Sequence, residues 1–188
     1  MKTLLTLFVL FFSPSVFAEN ISDFQIEGMS IGDSLLDYYS EEDINKNLHN
    51  YFANDHTYAG VEFYKLESFK IYHGLVIDFK RQDKNFVIES ISGTIFTKNM
   101  NDCKKLQKNI DNELSLMLNN TNREENNNDH EFDKTGESKT TAINYWFNND
   151  DLITIICTDW SDSITNKFGW TDNLSLELKT NEYNNKLY

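Results

Sequence analysis

Two cysteines, Cys103 and Cys157, are the residues of this chain best placed for covalent chemistry. They lack the Cys-x-x-Cys spacing that lowers a thiol pKa, so a redox catalyst is not expected. Cys103 falls on the apolar stripe of a predicted helix, and Cys157 shares the inward parity of Ile153 and Ile155 on a predicted strand. Both point toward one core, and outside the cytoplasm the expected product is a disulfide between them. The histidines His49, His56, His73 and His130 include no i, i+4 pair and have no cysteine beside them, which does not make a zinc site. Asp129, His130, Glu131, Asp133 and Glu137 are rich in hard-cation ligands, but with Asp129 in first place Lys134 stands where an EF-hand needs glycine. That segment reads as a plain acidic loop. No metal, no cofactor and no nucleophile-elbow hydrolase is expected.

Aromatic residues make up 14% of the chain and supply the candidate binding set. Tyr145, Trp146 and Phe147 lie in one predicted strand, so Trp146 must face away from its two neighbours. One strand face then presents an aromatic ring outward or to a second layer. Trp160 and Trp170 frame a loop with Asp159 and Asp162 close by in sequence. Rigid aromatics beside polar groups suit a protein or carbohydrate contact, and Trp146, Asp159, Trp160, Asp162 and Trp170 are the residues selected for it. Asp159 and Asp162 near Trp160 are also the carboxylates a hydrolase would use.

The elements that must position these residues follow from periodicity. Residues 19–27 read as extended or frayed up to Gly28. Ser30 or Asp33 then caps a short predicted helix through Ser40, with Ile31, Leu35, Leu36 and Tyr39 on one face. Polar residues 41–54 hold a further helical turn around Ile44 and Leu48. From Val61 the period switches to two, giving strands from Val61, over 75–79 and over 86–97, with Gly93 marking a bulge or a close backbone approach. Asn99 caps a long amphipathic helix over 100–119, whose stripe is Cys103, Leu106, Ile110, Leu114, Met117 and Leu118. Residues 119–138 carry almost no large apolar side chain and read as a mobile Asn-rich, acidic loop. Strands over 140–147, 152–160 and 173–180 follow, then a terminal helical turn. The expectation is α+β: antiparallel sheet of about six strands, with one long and one short helix packed on one face. An internal duplication is conceivable, although the halves share no residue pattern.

Residues 1–18 form the layout of a cleavable export signal: Lys2, an apolar run over 4–12, then Ser13, Pro14 and a small-residue stop at Ala18. The run is too short for a permanent membrane anchor. Residues 19–188 are then a single exported domain, periplasmic or secreted. The formal net charge is −13, and losing Lys2 with the signal makes the remainder one unit more negative. That field repels nucleic acid and anionic headgroups. Lysine outnumbers arginine 15 to 2 and asparagine is abundant, which points to AT-rich coding DNA rather than to chemistry.

The segment Ile26-Glu27-Gly28-Met29-Ser30-Ile31-Gly32-Asp33-Ser34-Leu35-Leu36, with Cys157-Thr158-Asp159-Trp160-Ser161, resembles a group of uncharacterised exported proteins of AT-rich marine bacteria. The resemblance implies an export compartment and a shared fold, and no activity. Gly28-Met29-Ser30 followed by Leu35-Leu36 is also similar to the helix start of the small SmpA/OmlA (BamE) outer-membrane assembly lipoproteins. That likeness implies helices on an antiparallel three-stranded sheet and a protein-binding role. This chain lacks their lipid-bearing cysteine and has Tyr38-Tyr39 where their pattern ends on glycine. The function expected is a non-catalytic periplasmic module binding an unknown protein or small ligand. The rivals are a carboxylate-dependent hydrolase and a structural envelope component.

Overall fold

The computed structural model describes residues 18–49, 57–118 and 120–187; the signal-like segment 1–17 and His56 lie outside them. The described chain builds one antiparallel sheet of eight strands: β1 (Leu48–His49), β2 (Tyr58–Tyr64), β3 (Gly74–Lys80), β4 (Ile88–Phe96), β5 (Asn122–Asp129), β6 (Lys139–Trp146), β7 (Leu152–Asp159) and β8 (Asn173–Lys179). Four α-helices accompany it: α1 (Glu41–Lys46), α2 (Met100–Met117), α3 (Asp162–Phe168) and α4 (Asn181–Leu187). This overturns the expected six strands with one long and one short helix on a single face. The sheet dominates, only α2 exceeds seven residues, and α4 packs on the side opposite α2.

The largest departure is β5, inside the stretch 119–138 read as a mobile loop. Its sequence, NREENNND, is exposed at every position and has no apolar alternation to betray a strand. What makes it one is an eight-residue ladder to β6, from Asn122 opposite Trp146 to Asp129 opposite Lys139. Backbone pairing overrides the low strand propensity of Asn and Glu. The helix expected to run through Ser40 is likewise replaced by turns, with only a 3₁₀ turn at Leu35–Asp37. Gly32 adopts φ 91°, and the Gly32 and Leu35 amides donate to the carbonyls of Ile88 and Phe86. Backbone groups needed for helical bonds are committed to the start of β4 instead. Gly28-Met29-Ser30 lies in a turn closed by an Ile26–Met29 bridge, not at a helix start.

The strand order is β1-β2-β3-β4-β8-β7-β6-β5. Each half of the chain is thus a helix followed by a four-stranded meander, α1 with β1 to β4 and α2 with β5 to β8, and their last strands pair antiparallel at the centre. The two halves share a strand topology, with α3 inserted between β7 and β8 of the second, and no residue pattern.

One sheet face is dry. α2, capped by the Asn99 side chain, which accepts the Asp102 amide at 3.0 Å, buries Cys103, Gln107, Ile110 and Leu114 against β7 and β8. Leu174, Leu176 and Leu178 of β8 meet it, each side chain contributing roughly 1.5–3 kcal/mol on burial. The Cys103–Cys157 disulfide fastens this contact, with Cα atoms 5.9 Å apart. Over the other half the N-terminal segment does the covering. Ile21, Phe24, Ile26, Met29, Leu35 and Ile44 are buried, so residues 19–27 are anchored by three core side chains and not frayed. Gly93 is a close approach: a Cβ there would meet the Tyr72 ring at 2.5 Å.

Candidate functional site

The second sheet face carries the alternate residues, and it is polar. On β6 these are Thr140, Ala142, Asn144 and Trp146, while Ile143 and Tyr145 turn to α2 and are buried. The Tyr145 hydroxyl donates to the Asp111 carboxylate at 2.6 Å. Trp146 therefore stands on the open side, as strand parity requires. Its neighbours across the ladders are Asn122 on β5 and Leu152 on β7. The indole Nε1 donates to Glu124 at 3.3 Å, which holds the ring edge of this partly exposed residue.

Sheet curvature makes a trough of about 540 Å³ from this face, within the range of ligand sites. Ala142 pairs with Ile156, so the floor at its middle is low and apolar. Asn144 pairs with Thr154 in the next row, and Asn126 and Asn128 of β5 form the outer wall. Asn184 of α4 and Lys179 close one end; Asp129, His130 and Glu131 close the other. Lys179 is neutralised by Glu177 at 2.5 Å, and Asp129 by Lys139 at 2.6 Å. The amides of Asn126, Asn128, Asn144 and Asn184 make no hydrogen bond among the described residues, even though Asn184 is only 9% exposed. Asn127, pointing the other way, accepts from the Thr141 hydroxyl at 2.9 Å. A second depression of about 470 Å³ lies beside Trp146, lined by Asn122, Glu124 and Asn148.

Helix α4 reaches the open face through Tyr183, whose hydroxyl donates to the buried Asp78 at 2.6 Å and whose ring packs edge-on against Tyr58. His49 Nε2 lies 3.4 Å from the other Asp78 oxygen. These contacts fix the helix that carries Asn184.

The remaining selected residues lie elsewhere. Trp160 and Trp170 meet with centroids 4.7 Å apart, and Trp170 also contacts Phe132 and Phe168. This aromatic patch adjoins the trough through His130, which packs on Trp160 at 4.2 Å; burial pushes the His130 pKa down. Asp159 keeps the parity of Cys157 on the α2 side. Burial and then the nearby Asp172 raise its carboxyl above the usual range, opposed by Lys104. Asp162 is exposed in the first turn of α3. Neither acid lines the trough.

Two sites escaped sequence reading. The Asn126 and Asn128 wall was hidden by the missing strand signal. Ser30, in Gly28-Met29-Ser30-Ile31-Gly32, does match a Gly-x-Ser-x-Gly pattern. It is not a nucleophile elbow, which needs an exposed serine between strand and helix. Ser30 is buried in a turn, its amide donating to Asp33 at 2.9 Å.

Among the described residues, no group of three or more His, Cys, Asp or Glu is arranged to hold a metal, and no helix is long and apolar enough to cross a membrane. Compared with protein-family models, curated proteins and solved structures, the chain matches none of them.

Proposed function

We propose that this chain is an exported, non-catalytic binding module that receives its ligand in the trough on the open face of the sheet. The observation that carries this reading is the set of four asparagine amides without internal partners around a tethered indole. Side-chain amides that spend no hydrogen bond inside the protein and line a concavity are available to a ligand. The disulfide is consistent with an oxidising compartment, and the signal-like segment 1–18 supplies the route. Thermal-shift screening of the purified chain against envelope-derived small molecules, glycans and peptides tests the reading. The expected result is a ligand that raises the melting temperature, loses that effect on Ala142→Trp, which fills the floor, and is recovered chemically unchanged. A ligand recovered as reaction products, or no ligand sensitive to Ala142→Trp, refutes it.

The exposed patch of Phe132, Phe168 and Trp170 supports a second contact, to a protein partner. These rings are 47%, 41% and 37% exposed and contiguous.

A further inference from the structure

Resting on the trough as a binding site, we infer that its ligand is an uncharged oligosaccharide, lying along β6 with one sugar ring stacked on Trp146. Three independent features of the lining select this chemistry. First, the polar groups are carboxamides. Each presents a donor and an acceptor side by side, which matches the vicinal hydroxyls of a sugar, whose oxygens donate and accept together. Asn126, Asn128 and Asn144 offer such pairs to the trough, and Asn184 offers one more from its end wall, nine-tenths buried and without a partner. Second, the apolar surface is flat and narrow: the Trp146 ring and the Ala142–Ile156 strip. A pyranose ring has one face of C–H groups to lay on such surfaces and an equator of hydroxyls to meet the amides. Third, the charges within reach are neutralised or negative. Lys179 is engaged by Glu177, and Glu124, Asp129 and Glu131 stand at the rim, within a chain of net charge −13. A polyanionic glycan would be repelled and would find no free cation.

The trough spans Thr140 to Trp146, about 20 Å at the strand rise of roughly 3.4 Å per residue, and is open at its top. It therefore fits several linked rings better than a single small metabolite. A peptide is the less suitable occupant here. Extended peptides take their affinity from main-chain bonds at a sheet edge; the floor of this trough offers side chains only, and a peptide paired to the free edge of β5 would lie beside the trough and not along its floor.

Isothermal titration calorimetry on the full exported chain provides the test. The probes are neutral oligosaccharides (cellohexaose, mannohexaose, xylohexaose and chitohexaose), an acidic polyuronate, and a library of extended peptides. At least one neutral oligosaccharide should bind with quenching or shift of tryptophan emission. Trp146→Ala should weaken it about tenfold, Trp146→Phe less, and Asn144→Ala severalfold, while Leu116→Ala, at an exposed position of α2 on the far side of the sheet, leaves it unchanged. Melting temperatures of the variants show whether each remains folded, and Trp146→Phe, which keeps a ring at the position, reports on stacking should the alanine variant unfold. Binding of none of the neutral probes overturns the inference, as does binding that ignores Trp146 and Asn144. Polyuronate or peptide binding that Ala142→Trp abolishes would overturn the glycan inference while leaving the trough as the binding site; failure of every ligand to respond to Ala142→Trp removes both.

Discussion

Asp133 uses both carboxylate oxygens inside the protein. One accepts the amide and hydroxyl of Thr135 at 3.0 and 2.7 Å; the other accepts the amide and hydroxyl of Ser138 at 3.0 and 2.6 Å and the Ser161 hydroxyl at 2.8 Å. The sequence places Asp133 in an acidic cluster that looks like a cation loop or a solvated surface. In the fold it ties the β5–β6 connection to the N-cap of α3. Hydrogen bonds from Ser138, then Thr135, hold its carboxyl far below the usual range. A carboxylate depressed in the folded state contributes stability that is present above its unfolded pKa of about 4 and is lost as pH falls toward the folded value. Asp133→Asn should lower the melting temperature at pH 7 and flatten its decline between pH 5 and pH 2. Melting curves across that interval check this; parallel wild-type and variant profiles contradict it. Two of its partners, Thr135 and Ser138, lie two and five residues on in the same loop, and only Ser161 comes from a distant segment, which the sequence does not mark.

Among the elements, α4 is the clearest case of tertiary control. Its sequence, NEYNNKL, is short and polar, and a helix of seven residues does not hold itself in water. It is held by Tyr183 on Asp78, Lys80 with Glu182 at 2.7 Å, and the Asn181 amide on Asp151 at 2.8 Å. Tyr183→Phe removes the donor from a buried carboxylate and should cost about 1–3 kcal/mol, measured by urea unfolding. Hydrogen exchange at the amides of α4 should rise more than at β8, because the helix loosens before the sheet does. Equal protection in both forms would show that the hydroxyl does not anchor the helix. Strands β2 to β4 and β6 to β8 were readable because Leu174, Leu176 and Leu178, or Leu75, Ile77 and Phe79, alternate with polar neighbours. β5 was not, because an edge strand exposed on both sides has no alternation to write into its residues.

For the whole molecule, the Cys103–Cys157 bridge joins α2 to β7 across a sequence separation of 54 residues. In the chain-entropy treatment, a loop of that length stabilises the fold by about 4 kcal/mol. The double variant Cys103→Ala, Cys157→Ala should lose about that much in denaturant unfolding, with a larger m-value because the unfolded chain is no longer cross-linked. The oxidised wild-type protein should weigh two hydrogens less than its reduced form, and two alkylatable thiols would contradict the bridge. The bridge binds the helical cover to the second meander alone; the first is closed by the N-terminal segment, through contacts such as Tyr39 stacked on Phe63 at 4.2 Å.

Residues alone determined the long helix, the six strands with dry faces, the inward aim of both cysteines and the opposition of Trp146 to its neighbour Tyr145. Each of these is a matter of periodicity, and periodicity records which side of an element meets the core. Only the tertiary structure decided that the strands form one sheet, that β5 completes it, and that Asn126, Asn128, Asn144 and Asn184 converge beside Trp146. Those facts depend on backbone pairing and sheet curvature between distant segments. A solvent-facing asparagine carries no mark of its neighbour across a ladder, because hydrogen bonds between backbones are the same whatever side chains they carry.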